Sequence, residues 1–441
     1  MSNLIKIKRG LNLPLIGEAD ATKVVDVESG CVYSIYPDDY CGLTPKIAIK
    51  EGDTVKAGES IIYDKNDNDI CLVSPVSGTV VKVVRGERRK IERVEILPSN
   101  TEDAVTFSID EKSKENIIRI LKVSGLWAKM RQRPYDIIPE SGKTPRDIFV
   151  STFDSAPLAI EQLCKADANF NKGIEILSKL TEGKVYIGCR GKLIETPHSE
   201  SFLFEGPHPA GNIGVQIEKI KPVNKGETVW AVTGDIVSKI GYLFNMGTLD
   251  FSCTLAITGE GITAPCLVKA TEGADIKSIL GNNLNIPVEE ARIISGNILT
   301  GHKVSFDGHI RFPYRQVTVI KEITERDEFM GWASLSPKKY SFSRTFLSWL
   351  CKRPYRFDAK INGGERAIIM AGEYDKVQPM DIYFEFLVKA ILAHDIDKME
   401  QLGIYEVAPE DFALCEFIDT SKLELQKIVR EGLDYLRKEL N

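Results

Sequence analysis

The side chains of this 441-residue chain that are best suited to metal or nucleophilic chemistry, five histidines and nine cysteines, are scattered. Neither set has the close spacing, such as Cys-x-x-Cys or His-x-x-x-His, that places ligands around a zinc ion or an iron–sulfur cluster. We therefore interpret the cysteines as small buried thiols of a reducing compartment. The sequence predicts no metal site and no catalytic residue. The cysteines are Cys31, Cys41, Cys71, Cys164, Cys189, Cys253, Cys266, Cys351 and Cys415.

A glycine-rich segment at 206–214 contains one histidine between two prolines, Pro207-His208-Pro209. A phosphate cradle needs backbone N–H groups, and the two prolines remove such donors, so this segment is a poor cradle. A quinone or another carbonyl ligand needs a hydrogen-bond donor beside an apolar wall. His208 is a candidate for that donor, and an ordinary loop histidine is the alternative.

The first hundred residues contain one candidate for a covalent attachment site, Lys65. The segments at 50–59 and 74–80 resemble the lipoyl/biotinyl carrier domain, a barrel-sandwich hybrid that carries its prosthetic group on a lysine at a hairpin tip. Lys65 falls near the equivalent tip, in Asp64-Lys65-Asn66-Asp67. An ordinary turn lysine in a borrowed sandwich is the alternative reading of this residue.

Composition excludes several classes of protein. The net charge is −6, which argues against a chain that wraps nucleic acid, since such chains carry a basic stripe. No apolar run approaches the roughly 20 residues of a membrane helix, and the N-terminus lacks the apolar core of a signal peptide. We expect a cytoplasmic chain that reaches a membrane only through partners.

Around these residues the sequence predicts an α/β multidomain chain. Short alternating runs with glycine turns predict a sandwich before residue 100. Strands at 147–151, 184–188 and 228–232 alternate with helical segments, which indicates a parallel sheet. Strands at 264–269, 291–294 and 309–312 around a helix at 275–280 fit a β-grasp module. The last third is helical, with a final helix predicted to start in a capping box at Ser421.

Several distinctive blocks resemble one family, the A subunits of the sodium-translocating NADH:quinone reductase. The resemblance spans nearly the whole chain. The blocks include the segments at 5–14, 342–345 and 362–367 and the following three motifs: Ser124-Gly125-Leu126-Trp127, Arg131-Gln132-Arg133-Pro134, and Gly206-Pro207-His208-Pro209-Ala210-Gly211.

The resemblance implies a fold. The family is similar to the flavin-binding subunit of respiratory complex I and to the C subunit of the Rnf complex. It implies a barrel-sandwich hybrid at 1–100, a Rossmann-like core at 101–258, a β-grasp domain similar to SLBB domains at 259–325, and a helical domain at 326–441.

The resemblance also implies that this subunit holds no redox cofactor. The flavin loop of those relatives, Gly-x-Gly-Gly-Ala-x-Phe-Pro, corresponds here to the segment at 125–131, where bulky residues replace glycine. Their acidic turn beside the isoalloxazine is replaced at 154–157, and the cluster cysteines are missing, since Cys351 and Cys415 stand alone. NADH, FAD, FMN, riboflavin, the iron–sulfur centre and ubiquinone would then act on other subunits.

The function implied is that of a peripheral subunit on the cytoplasmic face of the bacterial inner membrane. It would belong to a complex that oxidises NADH with quinone and exports sodium ions, with the membrane-embedded B subunit as its main partner. A contribution to a quinone site is attributed to the family, and His208, His198 and Arg190 are our candidates. The rival hypotheses are a free-standing flavin-dependent NADH dehydrogenase and a carrier module modified at Lys65.

Overall fold

A computed structural model gives the arrangement of the chain, and it describes residues 3–27, 30–101, 103–109, 113–322, 339–350, 353–357, 359, 364–368 and 372–440. These residues form a two-sheet sandwich, two six-stranded sheets and a group of C-terminal helices. The predicted domain boundary at 325/326 and Cys351 lie outside the described residues.

The sandwich consists of a four-stranded and a three-stranded antiparallel sheet. Its apolar residues share one core with the α/β part, which includes Ile61, Val80 and Trp127. The larger sheet contains, in spatial order, β3 (Tyr33–Ile35), β9 (Ile91–Pro98), β8 (Gly78–Arg85) and β5 (Thr54–Val55). The smaller sheet contains β4 (Pro45–Ile47), β6 (Ser60–Asp64) and β7 (Cys71–Val73).

A mainly parallel sheet with helices on both faces forms the centre of the chain. Alternate residues of one strand face opposite sides: Phe149 packs in the small cluster around Ile217, whereas Ile148 and Val150 join the large core. The strands, in spatial order, are β1 (Leu4–Lys6), β13 (Ser199–Glu205), β12 (Val185–Cys189), β11 (Ile148–Ser151), β14 (Val229–Thr233) and the antiparallel β10 (Arg131–Arg133). The helices are α1 (Lys114–Val123), α2 (Ala168–Ser178), α3 (Ile213–Ile220) and α4 (Gly234–Met246).

The third unit is a mixed six-stranded sheet with one short helix, α5 (Ile276–Leu280). Its strands, in spatial order, are β18 (His302–Val304), β17 (Ala291–Ser295), β19 (Gln316–Lys321), β15 (Ser252–Thr258), β16 (Cys266–Thr271) and β2 (Asp20–Asp26). The strand predicted at 309–312 is wrong: only His309 makes an isolated bridge, and a turn leads through Pro313 into β19. Proline cannot donate to a ladder, which fits the end of regular structure here.

The N-terminal residues lie outside the sandwich. Strand β1 pairs with β13 of the parallel sheet, and β2 pairs with β16 of the third sheet. Between them, Leu13 and Leu15 pack in the core of the C-terminal helices. The first 26 residues therefore tie three units together, although sequence position assigned them to the sandwich.

Four α-helices define the C-terminal part, as far as the structure describes it, and their apolar residues form one core with Ile7, Phe153 and Phe204. They are α6 (Phe384–Leu392), α7 (Ile396–Gln401), α8 (Ala413–Ile418) and α9 (Leu425–Leu440). The capping box predicted at Ser421 is wrong, because α9 begins at Leu425 and the Ser421 hydroxyl donates to the carbonyl of Ala367. Every helix in the described part of the chain is too short or too polar to cross a bilayer.

Candidate functional site

The carboxyl ends of β11, β12, β13 and β14 open at one edge of the parallel sheet. In open α/β sheets, ligands bind outside this edge. Arg190 directly follows β12, and the segment that contains His208 directly follows β13. The structure therefore brings two of the three sequence-predicted residues to the edge where a ligand is expected. We call this place the carboxyl edge.

His208 is buried at the carboxyl edge, with 4% of its surface exposed. Its Nδ1 lies 3.0 Å from Ser155 Oγ, which also accepts the Gly211 N–H at 2.8 Å. Gly211 occupies one lone pair of that hydroxyl, and the hydroxyl can donate its proton to His208 Nδ1, which places the N–H of the imidazole ring at Nε2 in that tautomer. Burial, reinforced by the nearby Arg190 cation, lowers the pKa of His208 to about 4. The ring is therefore neutral at pH 7 and serves as a hydrogen-bond donor without charge.

The N-terminal segment fixes the backbone of His208. The His208 N–H donates to Asn12 Oδ1 at 2.9 Å, and the Leu11 N–H donates to the His208 carbonyl at 2.8 Å. Sequence reasoning missed Asn12 as a member of this site because it lies 196 residues away along the chain. Asn12 lies in the distinctive opening block at 5–14, but nothing in that block indicates a hydrogen bond to the segment after β13.

Arg190 is the cation that we predicted for the site, and its side chain is 22% exposed. Its guanidinium carbon lies 4.9 Å from the centre of the Phe153 ring, a cation–π contact. It donates to the carbonyl of Gly206 and lies 3.4 Å from Glu161 Oε1. The buried Phe153 ring thus supports Arg190, whose charge acts on His208.

His198 lies elsewhere. It is exposed in the turn that precedes β13, whereas His208 follows the other end of that strand. Seven residues of strand at roughly 3.3 Å each separate the two histidines by about 20 Å. One quinone headgroup cannot contact both, so the geometry does not support His198 as a member of this site.

A buried acidic cluster joins the carboxyl edge to the C-terminal helices. Arg133 is 1% exposed and lies 3.4 Å from both Asp136 and Glu410. Burial raises the pKa of Asp411 and of Glu410, while Arg133 opposes the shift. Burial likewise raises the pKa of Asp154, beside Ser155. These groups hold the helices against the sheet.

The segment at 125–131, where the flavin loop of the complex I relatives was expected, is anchored in the core. Trp127 is 1% exposed, donates from Nε1 to the Pro139 carbonyl at 2.9 Å, and meets Trp230 edge-on at 5.0 Å. Met130 is fully buried as well. The bulky residues of this loop are therefore packing residues, and their burial fixes the position of the loop backbone against the core.

Lys65 is exposed in the turn between β6 and β7, near the hairpin tip as expected. The turn is not free: Lys122 of α1 binds Asp67 Oδ2 at 2.7 Å, Ser141 donates to the same carboxylate, and the Lys65 N–H donates to Thr44 O at 2.8 Å. A swinging arm needs a tip that projects away from the rest of the protein, and this one is docked on the α/β part.

Metal-binding chemistry finds no support among the residues that the structure describes. No group of three or more His, Cys, Asp or Glu side chains in those ranges could hold a metal ion. The eight described cysteines are free thiols, and burial raises the pKa of Cys415 far above its ordinary value. A buried thiol of this kind is a weak nucleophile and a weak ligand.

Comparison with known proteins gives matches along the whole chain. Three family descriptions match in order: NqrA N-terminal barrel-sandwich hybrid domain at 5–99, NqrA second alpha/beta domain at 112–249, and NQRA C-terminal domain at 254–305. The chain is 34% identical to the A subunit of the Na(+)-translocating NADH-quinone reductase of Pasteurella multocida, with 99% of this chain and 100% of that protein covered. It is 33% identical to the protein of the same name from Yersinia pestis bv. Antiqua, with the same coverage.

Proposed function

This chain belongs to the family of the Na(+)-translocating NADH-quinone reductase A subunits, and we propose that it contributes a quinone-binding edge, not a redox centre, to that complex. Its function is that of one subunit in an NADH:quinone oxidoreductase that translocates sodium ions. The family assignment rests on identity over the full chain. The quinone proposal rests on one observation, the buried neutral His208 near the Arg190 cation.

The carboxyl edge has the chemistry that a quinone needs. A quinone carbonyl accepts hydrogen bonds, and in the tautomer that accepts from Ser155, His208 presents a donor at Nε2. Arg190, held over the buried Phe153 ring, stabilises the negative charge that builds on a quinone oxygen during reduction. A charged histidine would be costly in this buried place, which is why the lowered pKa of His208 suits the role.

Equilibrium binding of a short-chain quinone to the purified chain tests this proposal. His208→Ala should weaken binding by about tenfold, the equivalent of one buried hydrogen bond. His198→Ala is the matched control, because it removes the same side chain from the opposite edge of the sheet. Equal dissociation constants for the two variants would refute a quinone site at the carboxyl edge.

A second part of the proposal concerns partners and place. We infer that the chain docks on the membrane-embedded B subunit at the cytoplasmic face, through the turn at Leu347–Leu350. Leu347, Trp349 and Leu350 are 43%, 51% and 62% exposed within that one turn. Large apolar residues so close together on a surface are typical of a protein interface, and the peripheral part of a membrane complex needs an apolar partner surface.

Assembly with the membrane subunits tests this surface. Trp349→Lys should lower the amount of chain that co-purifies with the B subunit, whereas Val81→Lys, at an exposed apolar residue of the sandwich, should not. Co-purification that survives Trp349→Lys unchanged would place the interface elsewhere.

We further propose that FAD, FMN, riboflavin and the iron–sulfur centre belong to other subunits. The support is the loop at 125–131, which holds Leu126, Trp127 and Met130 in the core. Flavin absorbance in the purified chain would contradict the cofactor proposal and favour a free-standing NADH dehydrogenase.

We also propose domain types for the rest of the chain. The parallel sheet is a Rossmann-like unit, the third sheet is a β-grasp unit, and the C-terminal helices form the last domain.

A further inference from the structure

A cleft separate from the carboxyl edge lies where the sandwich, the α/β part and the third sheet meet. Its lining includes Ser34 and Val73 of the sandwich, Lys129 of the α/β part, and Glu272 and Arg311 of the third unit. The space between the lining residues is about 650 Å³ and includes open solvent, and the centre of a water-sized sphere fits in about 50 Å³ of it. One water needs roughly 10–15 Å³ on this second scale, so the cleft admits a small polyatomic group.

The charges at this cleft do not balance. The cations of the lining and their direct partners are four cations on three carboxylates, which leaves a surplus of one positive charge. Lys129 and Lys239 share the single carboxylate of Glu272, with both Nζ atoms 2.5 Å from its oxygens. The other groups are two ion pairs, Arg311 with Asp39 and Arg315 with Asp235; Arg131 lies outside the lining, and its charge also acts on Asp136.

The surplus charge is buried. The four paired cations are between 7% and 18% exposed, and Arg131 donates to two backbone carbonyls, those of Asp39 and Ala128. Burial and the like charges of Lys239 and Arg315 lower the pKa of Lys129, whereas Glu272 raises it. Buried charge without a counter-ion is costly, so an anion in the cleft would relieve a cost that the protein now bears.

One neutral group in the same lining also lacks a partner. Ser34 is 2% exposed, and its Oγ has no hydrogen-bond partner among the described residues. A buried hydroxyl is normally paired, and those without a partner often mark a bound group. Ser34 therefore adds an unused donor to the unbalanced cations.

We propose that this cleft binds a small oxyanion, the phosphate of a free ion or of a nucleotide, between Lys129 and Arg311 with Ser34 as a neutral donor. The phosphate oxygens accept charge-assisted hydrogen bonds from the two cations and offset their surplus. The Tyr40 and Phe312 rings stack at 5.1 Å and 3° and form part of the lining beside the cations. This site is independent of the quinone proposal.

Calorimetric titration of the purified full-length chain with inorganic phosphate, and separately with AMP, tests the site at constant ionic strength. We expect saturable binding with at least one of the two probes. Tighter binding of AMP would identify a nucleotide as the source, and binding of phosphate alone would identify the free ion. Absence of saturable binding of both probes up to tens of millimolar would overturn the proposal.

Three variants locate the binding. Lys129→Met should weaken it by about tenfold or more, and Ser34→Ala by a few fold, the loss of one hydrogen bond. Lys122→Met is the matched control, since Lys122 is 11% exposed and paired with one carboxylate outside the cleft. If Lys129→Met fails to fold, Ser34→Ala decides, because it removes one neutral atom. Unchanged affinity in Ser34→Ala and in any folded Lys129→Met would overturn the assignment.

Discussion

Replacing Gly241 by alanine should destabilise the α/β part, because this glycine lies where α4 crosses α2. A Cβ added there would stand 1.7 Å from the carbonyl oxygen of Asn169 and 2.7 Å from the amide nitrogen of Gly173. Both atoms are backbone of α2, so no side-chain rotation relieves the clash. To relieve it fully, the helices must separate by about 1.8 Å, the difference between 1.7 Å and an ordinary contact near 3.5 Å.

The magnitude follows from two opposing effects. Overpacking of a core costs typically ~1–3 kcal/mol, or more when backbone must move. Alanine recovers about 1 kcal/mol over glycine in a helix interior. We expect a net loss of about 1–2 kcal/mol, which lowers the melting temperature of a domain of this size by about 2–8 °C.

Thermal unfolding of the purified chain, followed by tryptophan fluorescence, measures the effect, since the buried Trp127–Trp230 pair reports on this part of the chain. Gly432→Ala in α9 is the matched control. The three atoms nearest to its added Cβ belong to the side chain of Ile391, the first at 2.7 Å, so no α-helix backbone stands as close as at Gly241 and a smaller loss is expected. A melting temperature of Gly241→Ala equal to or higher than that of Gly432→Ala would contradict a close contact between α4 and α2 at Gly241.

Three further predictions concern charge and modification. Asp147, 1% exposed, accepts from Lys221 Nζ at 2.6 Å and from Arg146 Nε at 2.7 Å, and these contacts lower its pKa against the opposing effect of burial. Asp147→Asn should therefore lower the free energy of unfolding by about 1–3 kcal/mol at pH 7. In urea titrations, the difference in stability between wild type and variant should shrink as the pH falls below 3.8, the ordinary pKa of the carboxyl group. Burial raises the pKa of Asp411, so the folded state holds the proton of this carboxyl group more tightly than the unfolded state does. The contribution of Asp411 to stability should therefore fall as the pH rises from 3.8 to about 6. Asp411→Asn should flatten that part of a plot of melting temperature against pH, and an unchanged slope would contradict a raised pKa at Asp411. Because the turn of Lys65 is docked through Asp67, the intact mass of the native chain should equal that of its unmodified sequence, and a mass increase abolished by Lys65→Arg would restore the carrier hypothesis.

The buried strands of the parallel sheet could be predicted from the sequence because they are continuous apolar runs between turn signals. The expectation of a strand at 147–151 corresponds to Ile148–Ser151, and that at 228–232 to Val229–Thr233. Strand β13 (Ser199–Glu205) was missed, since Ser199, Glu200 and Ser201 hide its apolar half. Its pairing with β1 joins residues about 200 positions apart, and no local pattern carries that information.

The sequence indicated individual residues of the candidate site but not which residues lie beside them. His208 stands out because two prolines flank it, and Arg190 lies two residues after the strand predicted at 184–188. Which residues meet depends on the order and direction of the strands in the sheet. The pairing of β12 with β13 places Arg190 near His208, and His198 lies at the opposite end of β13. Ser155 joins the site from a loop 53 residues away, after a different strand.

NADH-driven quinone reduction by the whole complex tests whether this chain contributes a quinone contact at His208. Membranes that lack this chain should regain sodium-dependent activity when the wild-type chain is supplied. His198→Ala should restore the same KM for quinone, and His208→Ala should restore assembly with a KM raised by about tenfold. Full activity without the chain would contradict its role in quinone reduction, and an unchanged KM with His208→Ala would contradict a quinone contact at His208.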